Sequence, residues 1–197
     1  MTQVFRASHT VLSLWTSGRW QEAINYYLKY SQYDTQAMID GRELHKKWEA
    51  DVKATGCLPP EFGGSRLAWP STEQKIVIHL TEWLDLVGII DCYEELVQEL
   101  RGGRIHEYKS GVISSTTYAR GHQVGIYATL LLMTGRHPKQ AYLWHYNQHL
   151  KTTDLSIVWI DEQMIKDAME WVEGAAWEMH SYMIQNDLYR RLEVAKV

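Results

Sequence analysis

The sequence predicts an α/β fold in which a central sheet is flanked by helices and a long helix closes the chain. Short apolar or alternating runs, such as residues 86–90 and 104–109, have the composition and length of strands. Between them lie segments of helical periodicity, among them the apolar stripe Leu44, Trp48 and Val52. From 161 to 193 the face formed by Met164, Ala168, Trp171, Ala175, Met179 and Tyr182 reads as one long helix.

Taken in order, residues 10–30 read as one or two helices rich in Trp and Tyr. The next helix is M-I-D-G-R-E-L-H-K-K-W-E-A-D-V, where His45 and Glu49 stand four apart beside the apolar stripe. A histidine in that place serves either as interhelical packing or as a ligand. Residues 56–71 are irregular, rich in Pro and Gly, and form an ordered loop or a cover over a cleft. E-Q-K-I-V-I-H-L, residues 73–80, is the first strand, and Glu73 at its start is either a solvated strand end or a further acid. Strands follow at 83–94 and 104–109, with 96–103 mostly loop and Gly102-Gly103 as its turn signal. A helix over 118–133 places Gln123 and Tyr127 four apart on one face, ahead of an apolar run that must be buried. Beyond a turn at 135–138 come strands at 141–146 and 156–160. Asp161 is placed to cap the last helix, and Gly174 marks a bend in it.

The chemistry concentrates in Asp91, Glu107 and Lys109, carried by V-G-I-I-D and H-E-Y-K-S-G. Strand side chains repeat with period two, so Glu107 and Lys109 share one face while His106 and Tyr108 share the other. Two registers are compatible with the spacing. One sets Asp91 opposite Glu107; a tight turn on the Gly pair sets it opposite Ser114. Two carboxylates can hold a hard divalent cation such as Mg²⁺ or Mn²⁺, with phosphate oxygens and water completing the shell. A lysine beside them orients water or offsets negative charge on a phosphate. A surface hairpin with solvated charges is the other account of the same three residues.

Four spacings in one order resemble the PD-(D/E)XK nuclease superfamily, in particular its RecB-like exonuclease branch, which includes the CRISPR adaptation nucleases. The G-x-x-x-H helix corresponds to Gly41 through His45, the G-x-x-D strand to Gly88 through Asp91, the E-x-K strand to Glu107 through Lys109, and the Q-x-x-x-Y helix to Gln123 through Tyr127. The resemblance spans roughly residues 8–147. It implies a restriction-endonuclease-like core with a mixed sheet. It also implies metal ligation by His45, Asp91, Glu107 and the backbone carbonyl of Tyr108, with Lys109 as catalytic lysine. Gln123 and Tyr127 would contact the substrate strand or support the site. The implied activity is that of a Mg²⁺- or Mn²⁺-dependent deoxyribonuclease processing DNA ends, with single-stranded DNA or duplex ends as partner. A helicase or recombination partner and a homo-oligomer fit the same branch, as does an origin in a phage. The alternative is an inactive nuclease-like protein that binds nucleic acid or assembles with others.

Global properties fit a single domain over 1–197 and narrow the choice. Lys and Arg number 20 against 24 Asp and Glu, a formal charge of −4, which argues against a passive DNA-coating module that needs a basic stripe. The cations expected near the site are Arg101, Arg104, Arg120, Arg136 and Lys139. An iron–sulfur cluster needs four thiolates, and the chain has only Cys57 and Cys92, so no cluster is expected. Cys92 faces away from Asp91, as a buried small hydrophobe, and Cys57 is an ordinary free thiol. With few cysteines, no leader-like segment and no apolar run of about 18 residues, the expected setting is reducing and cytoplasmic, without a membrane. The nine Trp and 12 Tyr supply core, subunit-interface and base-stacking material.

Overall fold

A 13-residue strand, Leu84–Leu96, organises the molecule because three other strands pair with it. The computed structural model describes residues 4–28, 36–96, 102–111 and 121–189. In chain order the strands are β1 (Phe5–Ala7), β2 (Pro70–Thr81), β3 (Leu84–Leu96), β4 (Gly102–Ser110), β5 (Pro138–Asn147) and β6 (Thr152–Trp159). The helices are α1 (His9–Thr16), α2 (Trp20–Tyr27), α3 (Gln36–Thr55), α4 (Gln123–Met133) and α5 (Glu162–Gln185). The predicted class, a mixed sheet flanked by helices with a long C-terminal helix, is what forms.

β2 runs antiparallel along one edge of β3 from Pro70–Glu94 to Thr81–Leu84. The other edge is shared. β1 pairs parallel with Leu84 to Leu86, and β4 pairs antiparallel with Cys92 to Leu96. Between these two partners, residues 87–91 of β3 have no strand beside them on that edge among the described residues. β4 then pairs parallel with β5, and β5 antiparallel with β6. The gap between β1 and β4 is where Asp91 lies.

Two cores sandwich the sheet. The larger sits under α1, α4 and α5 and includes Phe5, Leu12, Leu86, Ile90, Ile105, Leu130, Leu143 and Met179. α4 is apolar all round because it lies between the sheet and α5, and its residues 124–131 are all buried. The smaller core joins Trp48 and Val52 of α3 to Leu58, Phe62 and Leu67 of the covering segment and to Cys92 and Tyr108 of the sheet. Phe62 stacks on Tyr108 at 5.1 Å between ring centres. Residues 56–71 therefore cover the sheet face under α3. They include one turn of 3₁₀ helix at Pro60–Phe62 and a bridge between Cys57 and Arg66.

Several boundaries differ from the sequence reading, each for a tertiary reason. β1 is three residues long and stabilised by its neighbours, so it has no pattern of its own. β2 begins at Pro70 and β5 at Pro138, earlier than their apolar runs, because each has a partner strand there. β6 begins at Thr152, where Thr and Asp pair with β5 as an exposed edge. Gly102 and Gly103 lie in β4 opposite Leu96 and Glu95, and are not the turn. A side chain at Gly103 would overlap the Tyr93 ring, so glycine serves close packing there. Residues 97–101 and 118–120 of the expected loop and helix lie outside the described residues. Asp161 caps α5 by accepting the Met164 N–H at 2.7 Å. α5 runs unbroken through Gly174 and ends at Gln185, with Asp187 at φ +52. Its buried face centres on Val172, Met179 and Met183, and Tyr182, five full turns from the half-buried Met164 and in line with it, lies at the edge of that face and is exposed. Among the described residues no helix is long and apolar enough to cross a membrane.

Candidate active site

The β3–β4 ladder stops at Cys92–His106, and continuing its register puts Asp91 opposite Glu107. Here the two strands part, and the Asp91 carboxylate occupies the gap, accepting the Tyr108 N–H through Oδ2 at 2.8 Å. The pleat of β3 is interrupted at the same place. Ile90 belongs to the core under α4, whereas Cys92, two residues on, belongs to the core under α3. A regular strand would put both on one face. Asp91, between them, therefore faces the crevice.

Glu107 is buried, at 3% exposure, on the α4 side of β4. Lys109, two residues along on the same face, donates from Nζ to Glu107 Oε1 at 2.6 Å. The Gln123 amide donates to the same oxygen at 2.7 Å and stands 2.8 Å from the Tyr127 hydroxyl. The i, i+4 spacing of α4 thus sets one residue against the carboxylate and the next behind it. Tyr127 is itself buried, so it supports the site from within. From the other side α3 brings His45, whose Nδ1 is 3.8 Å from Asp91 Oδ1 and whose ring packs on Trp48 at 5.2 Å. The structure thus brings together His45, Asp91, Glu107, the backbone of Tyr108, Lys109, Gln123 and Tyr127.

Charge is in tension here. Burial and then the Asp91 charge raise the Glu107 carboxyl to about 7, against the pull of Lys109 and His45. Burial lowers the basicity of His45, but its hydrogen bond to Asp91 and the charges of Asp91 and Glu107 prevail and hold it above its ordinary value. Glu107 Oε2 is buried and has no hydrogen-bond partner among the described residues. Such an oxygen costs about 1–3 kcal/mol, more when charged, unless something positive meets it. Among the described residues no three His, Cys, Asp or Glu side chains are grouped closely enough to hold a metal ion by themselves. Two neighbouring carboxylates are oxygen donors of the kind a hard cation takes, with the remaining positions open to phosphate and water.

Among the described residues the expected cations do not gather at this crevice. Arg104 lies on the face of β4 away from Glu107, 3.5 Å from Glu94 and over the Tyr142 ring. Arg136 donates to Gln74 and covers the Tyr93 ring. Lys139 is exposed on β5, and Arg101 and Arg120 lie outside the described residues. Cys92 is fully buried, its thiol pushed up to about 12 by burial, and Cys57 is partly exposed.

Three residues escaped the sequence reading. Glu94 is buried and accepts from Ala68 N at 2.8 Å and lies 3.2 Å from His106 Nε2, tying the covering segment to the sheet. Trp144 donates to the other nitrogen of His106 at 3.2 Å, which leaves Nε2 to donate to Glu94. His9, at the start of α1, is pushed down to about 4 by burial, the Lys109 charge and His122, so its imidazole stays neutral beside the lysine. Glu73 stands opposite Asp91 on β2. Only the alternation of 92–94 hinted at Glu94; the other two arise from pairings distant in sequence.

No family model matches the chain, and no curated protein matches it in sequence. Solved structures do share its fold. SSO0001 aligns over 88% of this chain and 78% of its own, at 14% identity and a TM-score of 0.55. The "Putative exonuclease" of Eubacterium rectale aligns over 91% of this chain and 81% of its own, at 10% identity and a TM-score of 0.57. The alkaline exonuclease LHK-Exo of Laribacter hongkongensis aligns over 97% and 94%, at 15% identity, with a TM-score of 0.47. At such identities the likeness to the first two is one of fold.

Proposed function

We propose that the protein is a metal-dependent deoxyribonuclease of the RecB-like exonuclease type, hydrolysing phosphodiester bonds at DNA ends. The observation that carries this reading is the Asp91–Glu107–Lys109 constellation, in which one oxygen of a buried carboxylate pairs with an ammonium group and the other has no hydrogen-bond partner among the described residues. The name of the Eubacterium rectale protein of the same fold points the same way.

Asp91, Glu107 and the Tyr108 carbonyl would hold Mg²⁺ or Mn²⁺, with His45 at the side of Asp91. When bound, such a cation neutralises charge on phosphate oxygens and acidifies water. The chain's own groups do the rest. Gln123 and Lys109 fix the rotamer of Glu107 through its one bonded oxygen, leaving the other buried and without a hydrogen-bond partner among the described residues. Lys109 offsets the negative charge that builds on the phosphorus oxygens as water adds and the P–O bond to the leaving strand breaks. Tyr127 holds Gln123 from behind, and Trp48 holds His45. Glu107 accepts charge readily only when its proton is displaced, so occupancy and ionisation are coupled.

The test is cleavage of end-labelled linear single- and double-stranded DNA, alongside closed circular DNA, with Mn²⁺, with Mg²⁺ and with chelator. Metal-dependent loss of linear DNA alone, absent in Lys109→Ala, is the expected result, and the label pattern gives the polarity. Lys109→Ala should keep much of the metal affinity, whereas Asp91→Ala and Glu107→Ala should lose it with the activity. Metal binding without cleavage of any DNA would favour the inactive, nucleic-acid-binding alternative.

A further inference from the structure

β5 carries a buried histidine that the proposed chemistry leaves unused. Strand alternation puts Ala141, Leu143 and His145 on the α4 side of the sheet, where Ala141 and Leu143 join the larger core. His145 follows them at 4% exposure, and a buried imidazole needs hydrogen-bond partners. It has two. Nδ1 lies 2.7 Å from Asp154 Oδ1 on β6, and Nε2 lies 3.0 Å from the Gly111 carbonyl oxygen.

The register gives this ring its place. His145 is the cross-strand partner of Lys109 on β4 and of Asp154 on β6, so the three side chains form a row on the face that holds Glu107. Gly111 stands two residues beyond Lys109, just past the end of β4, and its φ of +125° takes the chain out of strand geometry. The backbone tie at this point is slack. The Gly111 N–H reaches the Tyr146 carbonyl at 3.4 Å, long for such a bond, whereas the tie from His145 has the ordinary length. A carbonyl oxygen only accepts, so Nε2 donates, and the Asp154 carboxylate engages the other nitrogen and sets the plane of the ring.

We propose that His145, oriented by Asp154, is a positioning residue for Lys109. It pins the Gly111 carbonyl, closes the end of β4 and so fixes the backbone from which the Lys109 ammonium reaches Glu107 Oε1 at 2.6 Å. An ammonium that offsets charge on a phosphate works only from a narrow range of positions, and a backbone free to shift at Gly111 would carry it out of that range. The inference rests on the nuclease reading above and adds to it the pair that holds the catalytic strand in place.

The experiment is cleavage kinetics on linear DNA with Mn²⁺, with Mn²⁺ titration by calorimetry and hydrogen exchange of residues 107–111. The proteins are the wild type, His145→Gln, His145→Asn, Asp154→Ala and the control Leu155→Ala. A glutamine amide nitrogen takes the place of Nε2 and an asparagine amide nitrogen that of Nδ1, so only His145→Gln keeps the donor to Gly111. His145→Asn should lose roughly ten- to hundredfold in kcat and exchange faster over 107–111. Its KM and Mn²⁺ affinity should stay within about twofold of the wild type, because neither DNA nor cation touches His145. His145→Gln should restore kcat to within about threefold of the wild type, with wild-type exchange. Asp154 is half-exposed, so Asp154→Ala folds whatever becomes of the buried variants, and it should show the His145→Asn pattern at smaller size. Leu155 lies on the opposite face of β6, beside Trp144, and Leu155→Ala should melt lower with kcat unchanged. Equal loss in His145→Gln and His145→Asn, unchanged kcat in Asp154→Ala, or Mn²⁺ affinity falling in step with kcat would overturn the inference and leave the nuclease reading standing. A wild type that cleaves no DNA would overturn both.

Discussion

Gly88→Ala probes how closely α4 must approach the sheet for the site to form. A Cβ at Gly88 would overlap Leu130 Cδ1 and lie 3.3 Å from Tyr127 Cε1. Leu130 is fully buried, so in a close-packed core its side chain can move aside only by displacing its own neighbours. The helix must therefore lift, carrying Tyr127 and Gln123 with it and stretching the 2.7 Å hydrogen bond from Gln123 to Glu107. Overpacking of this kind costs about 1–3 kcal/mol. For a chain of this size that is about 2–4 °C per kcal/mol, hence a melting temperature lower by about 2–12 °C. Gly174→Ala is the matched control, since its Cβ would meet nothing within 4 Å and a helix-interior alanine stabilises by about 0.5–1 kcal/mol. The assay is differential scanning calorimetry with a Mn²⁺ titration on each variant. A Gly88→Ala protein that melts with the wild type and binds Mn²⁺ equally well would refute the close packing of α4 on β3. The glycine of the G-x-x-D spacing would then need another reason.

Two further outcomes follow from the buried carboxyls. The folded-state value of Glu107, about 7, lies above its ordinary 4.5, so its contribution to the stability of the metal-free protein is full below about 4.5 and is lost as pH rises through about 7. The loss is of order 3 kcal/mol. The melting-temperature gain from Mn²⁺ should therefore grow between pH 5 and pH 8, and a pH-independent gain would contradict the assignment. Glu94 has the opposite sign. Burial pushes it up, but His106, the Ala68 N–H and Arg104 prevail and hold it below its ordinary value. Its contribution is present above about pH 4.5 and lost as pH falls through its folded value. Glu94→Ala, which breaks a buried pair, should cost about 3–5 kcal/mol and expose residues 56–71 to proteolysis. Unchanged protease resistance would show that the cover is held by its apolar contacts alone.

Most of the site's residues were legible in the sequence because their geometry is local. Period-two alternation alone puts Glu107 and Lys109 together, and i, i+4 spacing alone puts Gln123 before Tyr127. The choice between registers was not local. The shared edge of β3, with β1 at one end and β4 at the other, decides for Asp91 opposite Glu107. The same long-range pairing accounts for what was missed. Gly103 reads as a turn until the Tyr93 ring lies against it. Arg104 reads as a groove cation, yet the alternation that places Glu107 in the site points Arg104 to the opposite face, toward Glu94. Tyr182 illustrates a different limit, since it aligns with Met164 at one edge of the apolar stripe, and only the packing of α5 shows that the buried face centres to one side of that edge, on Val172, Met179 and Met183.

The most direct test of the account is anomalous diffraction from crystals of the protein grown with Mn²⁺. The account predicts a peak in the crevice between Asp91 and Glu107, against the Tyr108 carbonyl. No peak there in crystals of a protein saturated with Mn²⁺ in solution, or a peak at another carboxylate such as Asp154 beside His145, would contradict it.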